Sequence, residues 1–355
     1  MNKILMKGND AIAESAVRAG CKLFAGYPIT PQSEILEYLS KRLPEVGGQF
    51  VQTESEISGI SAVYGGAAAG FRVLTSSSGP GYSLLQEGIS YIASAELPCV
   101  IVNVMRYGSG LGDIYQAQGD YWQTVKNGGH GDYRCLVFAP NSVQEAADLT
   151  YMAYEKAEEY RNPVVVLSDA SISQMMEPVE FKDFYKHDAD KFDWSLKGKG
   201  DGEFRKTTST MYYINDYDEY IKEKYDNIQK QEQMWDEYEM EDAEIVLVAY
   251  GISSRICREA VKIARKNNLK LGLLRPISLY PYPIKAFEKI NMENMRAFIA
   301  VELSALGQMV EDVKLSCEMK VPVYTHLAGG IVPLAEDILE TVYKVQNELS
   351  GEVCL

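Results

Sequence analysis

Short apolar runs alternate with stretches of helical periodicity along most of the chain, and few folds accommodate that pattern. Strands are predicted at 22–25, 49–52, 71–75, 99–105, 135–139 and 163–168, with helices rich in small residues over 55–69, 84–95 and 142–158. Asn9 and Asp10 are placed to cap a first helix through Ala11, Ile12, Ala16 and Val17 that ends at Gly20. A second helix over 32–43 presents Ile35, Leu36 and Leu39 on one face. Buried strands separated by helices imply a parallel α/β sheet. A second unit of the same kind begins at Ala243, with strands at 244–250, 270–274, 297–301 and 321–324 and helices over 255–266, 284–290 and 309–320. Residues 181–240 differ. They hold 25 charged and 13 aromatic residues and no clear strand. Tyr217, Ile221, Tyr225, Ile228, Trp235 and Tyr238 fall near helical spacing, which reads as an amphipathic helix in a solvated connector with one packed face, or in an arm that wraps a partner subunit. The organisation expected is therefore α/β over 1–180, a charged aromatic-rich connector or arm over 181–240, and α/β again over 241–355.

Composition narrows the function classes. Against 35 Lys and Arg the 355 residues carry 50 Asp and Glu, a net charge of −15, which argues against a surface built to hold nucleic acid. The six cysteines, Cys21, Cys99, Cys135, Cys257, Cys317 and Cys354, show no spacing for a zinc site or an iron–sulfur cluster, so no metal site is expected on this chain. Their placement in apolar runs reads as buried thiols in a reducing compartment. No segment reaches the ~20 apolar residues of a membrane helix, and a cytoplasmic location is expected. His130, His187 and His326 lie far apart, in neither triad nor metal contexts, and read as structural or surface residues.

Chemistry in an open parallel sheet gathers beyond the carboxyl ends of its strands, and four segments occupy such positions. Gly26-Tyr27-Pro28-Ile29-Thr30-Pro31 is stiffened by two prolines, which hold the Thr30 hydroxyl; it also reads as an ordinary rigid turn. Glu54-Ser55-Glu56 opens a helix, where carboxylates complement the helix N-terminus or, facing a dry crevice, exchange a proton with a ligand nitrogen. Thr75-Ser76-Ser77-Ser78-Gly79-Pro80-Gly81 offers hydroxyls and N–H groups but has no P-loop lysine. Arg106 follows the strand at 99–105, as a planar donor for a carboxylate or as a surface ion-pair residue.

Together these segments resemble the α subunit of 2-oxoacid:ferredoxin oxidoreductases. Lys7-Gly8-Asn9-Asp10-Ala11, Tyr27-Pro28-Ile29-Thr30-Pro31, Glu54-Ser55-Glu56, 75–81, 98–106 and Gln118-Gly119-Asp120 carry the likeness in the first unit. Arg275-Pro276-Ile277-Ser278-Leu279-Tyr280-Pro281-Tyr282-Pro283 and 301–309 carry it in the second. The resemblance is strongest to the branched-chain form acting on 3-methyl-2-oxobutanoate (2-oxoisovalerate), with the 2-oxoglutarate and pyruvate forms as alternatives. A non-catalytic two-domain scaffold or ligand-binding subunit is the alternative of another class. The resemblance implies two parallel-sheet domains, a thiamin-diphosphate pyrimidine-binding domain followed by a transketolase C-terminal-like domain. It implies a cofactor shared between two subunits, with the pyrimidine on this chain and the diphosphate and Mg²⁺ on a β subunit. By resemblance Glu56 hydrogen-bonds the pyrimidine ring nitrogen and promotes its imino tautomer. Tyr27, Pro28, Ile29, Ser77, Ser78 and Gly79 contact the cofactor, and Thr30 and Arg106 hold the substrate carboxylate. A γ subunit, a ferredoxin-like subunit and ferredoxin complete the set, with iron–sulfur clusters only on partners and coenzyme A taking the acyl group; the chain alone is expected to be inactive. The family's diphosphate signature, Gly-Asp-Gly after a buried strand, is not found in that context. Gly200-Asp201-Gly202 follows Lys197-Gly198-Lys199, and Asn267-Asn268 ends a predicted helix, so both read as chance matches.

Overall fold

The computed structural model describes residues 3–196, 198 and 206–351. The first unit is built on a seven-stranded sheet. Its strands are β2 (Leu23–Gly26), β3 (Gln49–Gln52), β4 (Val73–Ser77), β5 (Cys99–Met105), β6 (Leu136–Phe138), β7 (Pro163–Asp169) and β12 (Ser278–Tyr280), in the order β12-β6-β7-β5-β4-β2-β3. All are parallel except β12, which pairs antiparallel with β6. Side chains alternate along each strand, so the sheet buries two different faces. Val100, Val102, Val164 and Val166 pack against α1 (Gly8–Arg18), α2 (Ser33–Glu45) and α5 (Val143–Tyr160) through Ile12, Ile35, Leu39 and Tyr154. Ile101, Val137 and Val165 face α3 (Glu56–Ala68) and α4 (Gly79–Ser94) through Ile60, Val63, Leu85 and Ile89.

The second sheet comprises β9 (Trp235–Tyr238), β10 (Ile245–Val248), β11 (Leu271–Pro276), β13 (Ala297–Glu302) and β14 (Val323–Leu327), ordered β14-β13-β10-β11-β9, with only β9 antiparallel. Its helices are α8 (Gly251–Lys266), α9 (Ile284–Glu288), α10 (Val310–Ser316) and α11 (Ala335–Ser350). The units share apolar core: Tyr250, Phe287 and Phe298 belong to the same buried cluster as Ile101 and Ile60. A polar clasp adds to this. Gln118 donates its Nε2 to Tyr250 O at 2.9 Å and accepts at Oε1 from Ser253 Oγ (2.9 Å) and Leu303 N (3.0 Å). Asp169, at the end of β7, accepts from Ile172 N (2.9 Å) in α6 (Ala170–Gln174) and from Ile252 N (2.8 Å) in α8. Burial pushes its carboxyl up to about 6.

Several local expectations are corrected. Neither Asn9 nor Asp10 caps α1. The N-cap is Lys7, and Asn9 lies inside the helix because its side chain serves a tertiary contact instead. A short ribbon of β1 (Ile4–Lys7) against β8 (Met176–Val179), absent from the sequence reading, precedes that helix. The helical spacing from Tyr217 to Tyr238 is broken: α7 (Tyr217–Gln231) ends before Trp235 and Tyr238, which lie on β9. The connector thus contributes a strand where none was expected. Strand β12 is the other surprise, carrying residues of the second unit onto the edge of the first sheet. Cys354 and Gly200-Asp201-Gly202 lie outside the described residues.

The connector packs on its own chain. Ser195 Oγ donates to Ala69 O (3.0 Å), Thr210 Oγ1 to Ser94 O (3.2 Å), and Tyr220 Oη and Lys224 Nζ to the Glu96 carboxylate (2.7 and 2.9 Å). His187 Nε2 pairs with Gly70 O at 2.7 Å. Next to it Arg72, 4% exposed, donates two parallel 2.8 Å bonds to Glu158. Removing one partner strands the other in the interior, so Arg72→Ala is expected to cost about 3–5 kcal/mol in urea unfolding. Against the upward push of burial, bonds from Arg72 and His187 and the nearby charges bring the Glu158 carboxyl from 4.5 to about 2. Stabilisation from a depressed carboxylate is complete above about pH 4.5 and is lost as pH falls toward 2. A Glu158→Gln chain should therefore show a shallower loss of stability over that window.

Candidate cofactor and substrate site

The sheet order places the four suspected segments side by side. Strands β5, β4, β2 and β3 are neighbours and parallel, so their carboxyl ends share one edge. Chain order runs outward in opposite directions on either side of the β2–β4 boundary, the kind of switch point where α/β sheets open a crevice. Over this edge lie the loop 27–32 from β2, Glu56 after β3, the 77–81 turn from β4, and Arg106 from β5.

Each piece is held by identifiable contacts. Gln32, fully buried, donates to Tyr27 O (3.1 Å) and accepts from Ser76 Oγ (2.6 Å), tying the loop to β4. Pro31 O accepts from Asn9 Nδ2 (2.7 Å) and Gln174 Nε2 (3.1 Å). Tyr27, Pro28 and Thr30 are exposed and Ile29 is half-buried, so the loop forms a rim. A cleft of about 780 Å³ lies on its far side, bordered by Thr30, Ile114, Gln116, Ser171, Gln174 and Met175. Glu56 is the first residue of α3, whose cap is Ser55 accepting from Ser58 N at 3.3 Å. Glu54 faces solvent, whereas Glu56 is 6% exposed and makes no hydrogen bond or ion pair among the described residues. A Cβ on Gly59 would stand 3.2 Å from Gly26 Cα, so this glycine lets α3 close on the end of β2.

The turn that starts α4 is the centre of the arrangement. A Cβ on Gly79 would lie 3.3 Å from Arg106 Cγ and Nε, and one on Gly81 would lie 2.2 Å from Glu56 Oε1 and 2.3 Å from Ser77 Oγ. Glu56 and Arg106 therefore flank the same Gly-Pro-Gly turn. Beneath it Ser77 and Ser78 are fully buried, forming a floor, and with Thr75 and Asn103 they hold oxygens (Thr75 Oγ1, Ser77 Oγ, Ser78 Oγ, Asn103 Oδ1) that lack a hydrogen-bond partner. Buried polar atoms in that state call for a ligand or bound solvent. Arg106 donates Nη1 to Thr30 O (3.0 Å) and Nη2 to Leu111 O, while its buried Nε is unpartnered. A lone carboxylate, spare hydroxyls and a buried guanidinium suit a nitrogen heterocycle next to a small carboxylate.

Some residues that shape the site carried no sequence signal for that role. Gln32 and Gln174 matter only because tertiary contacts bring them to the loop, and Asn9, expected as a helix cap, holds Pro31 O instead. Gln118 gains its role from Tyr250, Ser253 and Leu303, all far away in sequence. The histidines stay apart: His187 is a packed residue, His326 Nδ1 pairs with Thr341 Oγ1 at 2.8 Å, and His130 is exposed. Cys21, Cys99, Cys135, Cys257 and Cys317 are buried free thiols. Asn267 and Asn268 do end a helix, α8. Among the described residues no three His, Cys, Asp or Glu side chains are grouped to hold a metal ion, and no helix is long and apolar enough to cross a membrane.

Residues 14–240 match the family described as pyruvate flavodoxin/ferredoxin oxidoreductase, thiamine diphosphate-binding, and residues 243–338 match pyruvate:ferredoxin oxidoreductase core domain II. The ketoisovalerate oxidoreductase subunit VorB of Methanothermobacter thermautotrophicus is 48% identical over 98% of this chain and 99% of its own length. The chain belongs to the 2-oxoacid:ferredoxin oxidoreductases. The 2-oxoglutarate synthase subunit KorA of Methanocaldococcus jannaschii is 36% identical over 88% of this chain and 91% of its own length. Among solved structures, 2-oxoglutarate:ferredoxin oxidoreductase from Magnetococcus marinus, with 2-oxoglutarate, coenzyme A and succinyl-CoA bound, superposes with a TM-score of 0.85 at 26% identity. The match covers 97% of this chain and 65% of that one, so the chain spans about two thirds of it. A split-gene transketolase at 15% identity and a TM-score of 0.60 shares the fold. As an oxidoreductase subunit of this family, the chain presents its crevice within the thiamine diphosphate-binding region.

Proposed function

We propose that this chain is the pyrimidine-binding subunit of an enzyme that converts 2-oxoisovalerate and coenzyme A to acyl-CoA and CO₂ while reducing ferredoxin. The observation that carries the reading is the pair of buried, opposite charges, Glu56 and Arg106, on either side of the Gly79–Gly81 turn. The choice of acid follows the full-length 48% identity to a ketoisovalerate oxidoreductase subunit, against 36% for a 2-oxoglutarate synthase subunit and 30% for a pyruvate synthase subunit. The proposed units are 1–180, 181–240 and 241–355, the middle one a charged, aromatic-rich connector or arm.

Thiamin diphosphate, when bound, supplies a carbon nucleophile and an electron sink for decarboxylation. Glu56 would hold a proton against the pyrimidine nitrogen, an exchange that a nearly dry site makes sensitive to small movements. Ser77, Ser78 and Gly79 would line the floor under the ring, with Tyr27, Pro28 and Ile29 along its rim. Arg106, anchored by Thr30 O, would hold the substrate carboxylate, and the fixed loop would orient the bond to be cleaved. A β subunit would supply the diphosphate and Mg²⁺ site. A γ subunit and a ferredoxin-like subunit, the latter carrying iron–sulfur clusters, would complete the enzyme, and ferredoxin would take the electrons.

Co-purified with its partner subunits, the complex is expected to reduce ferredoxin fastest, by kcat/KM, with 2-oxoisovalerate, while this chain alone gives no turnover. Higher kcat/KM on pyruvate or 2-oxoglutarate would reassign the acid. A complex that binds no thiamin diphosphate and turns over none of the three would make the chain a scaffold.

A further inference from the structure

Residues 118–126 lie between the two units, and the last five of them, Trp122–Lys126, form the only π-helical turn among the described residues. Such turns are rare and recur at functional sites. A carboxylate of the second unit holds this one. Asp312, buried on α10, accepts from Tyr121 Oη at Oδ2 and from Lys126 Nζ at Oδ1, both at 2.5 Å. Tyr121 and Lys126 are five positions apart, which on an α-helix would set them about 140° from each other. The wider π turn brings both to one carboxylate. Gln308 adds two bonds, accepting from Trp122 N (2.8 Å) and donating Nε2 to Gly119 O (2.8 Å). Gln308 is itself fixed: Glu302, buried at the end of β13, accepts from the N–H groups of Gln308, Met309 and Val310 at 2.9, 2.8 and 3.0 Å.

The other side of the same turn grips the crevice. Gln123 Oε1 accepts from Ser83 Oγ near the start of α4 (2.9 Å), its Nε2 donates to Asp120 (2.7 Å), and its carbonyl accepts from Gln86 Nε2 of α4 (3.0 Å). Asn103, the one amide in an otherwise apolar β5, donates to Asp120 (3.3 Å) and Thr124 Oγ1 (3.4 Å) and is paired in register with Ser77. The start of α4 needs such ties, because its N-cap, Ser78, makes no capping bond. Arg106 is anchored separately, on Thr30 O and Leu111 O.

We infer that the π-helical turn is an adaptor through which the second unit sets the position of the Gly79–Gly81 turn, with Asp312 holding the π geometry and Gln123 the positioning residue that passes it to α4. This rests on the assignment of the Gly79–Gly81 turn to the cofactor. The physical need follows from how tight the crevice is. Glu56 Oε1 and Ser77 Oγ stand 2.2 and 2.3 Å from where a Gly81 Cβ would lie, so a small shift of the start of α4 changes the space in which the carboxylate meets the ring. A displacement of about 1 Å at reacting groups costs about 10²-fold in rate. Because the turn and Arg106 have separate anchors, loosening the adaptor disturbs the cofactor side and leaves the hold on the substrate carboxylate in place.

The test uses the assembled complex carrying Gln123→Ala, Asp312→Asn or both, with kcat, KM for the 2-oxoacid and melting temperature as readouts. Each single variant is expected to lower kcat about tenfold while KM stays within about twofold. The double variant is expected to be no slower than the slower single one, because both changes act through one turn. Losses that multiply in the double variant, an unchanged kcat, or a KM shift as large as the kcat loss would overturn the inference. So would a lower melting temperature with kcat per active site intact, the signature of a contact that only stabilises. If either variant prevents assembly, Ser83→Ala takes its place in the cycle: it sits at an exposed position, removes the bond between Gln123 and α4 alone, and should reproduce the tenfold loss. A wild-type complex that binds no thiamin diphosphate withdraws the parent assignment, whereas an active wild type with inert variants withdraws only the adaptor.

Discussion

Replacing Glu56 by Gln in the assembled complex is expected to lower kcat by about 10²–10³-fold while leaving assembly intact. The side chain is buried at the first position of α3, with no partner among the described residues. Its neighbour Ser55 already caps that helix, so the carboxylate is not needed to hold the helix end. Gln keeps the shape and removes the ionisable proton site. A stability loss is expected to be small, because Glu56 makes no hydrogen bond or ion pair among the described residues that would be broken. The measurement is kcat of the co-purified complex together with its thiamin diphosphate content and melting temperature. Full activity would remove Glu56 from the proposed chemistry; a lost complex would make it an interface residue.

Gly81→Ala is expected to cost about 10²-fold in activity through sterics alone. Inside α4 an alanine is intrinsically preferred to glycine by about 0.8–1 kcal/mol, so helix propensity predicts a more stable chain. The added methyl, however, would sit 2.2 Å from Glu56 Oε1 and 2.3 Å from Ser77 Oγ, well inside van der Waals contact. The flexible partner is the Glu56 side chain, and it must move out of the crevice. Gly65→Ala in α3 is the control, since its Cβ would meet nothing within 4 Å. That variant should gain about 0.5–1 kcal/mol in thermal unfolding and keep its activity. Equal activity of the two variants would show that Glu56 does not need its present position.

Much of this arrangement can be read without coordinates. Apolar runs such as Cys99–Met105 and Pro163–Asp169 are strands because both faces of a central parallel strand are buried, and that requirement is written in consecutive residues. The loop with two prolines, the Ser55 cap and the glycine-rich turn are equally local, which is why the segments holding Tyr27, Glu56, Gly79 and Arg106 were found at strand ends. Residues 217–238 failed for the opposite reason. Their helical spacing is real up to Gln231, but Trp235 and Tyr238 pair with β11, more than thirty residues downstream, and no local period reports that pairing. Strand β12 on the edge of the first sheet and the Gln118 clasp are likewise long-range. By itself, the sequence determined the two α/β units, the strand-end loops and the chemical types available at them. Only the tertiary structure decided which ends adjoin, that Glu56 and Arg106 meet at one turn, and which buried oxygens are left without partners, because proximity and desolvation arise only when distant segments close around the same space.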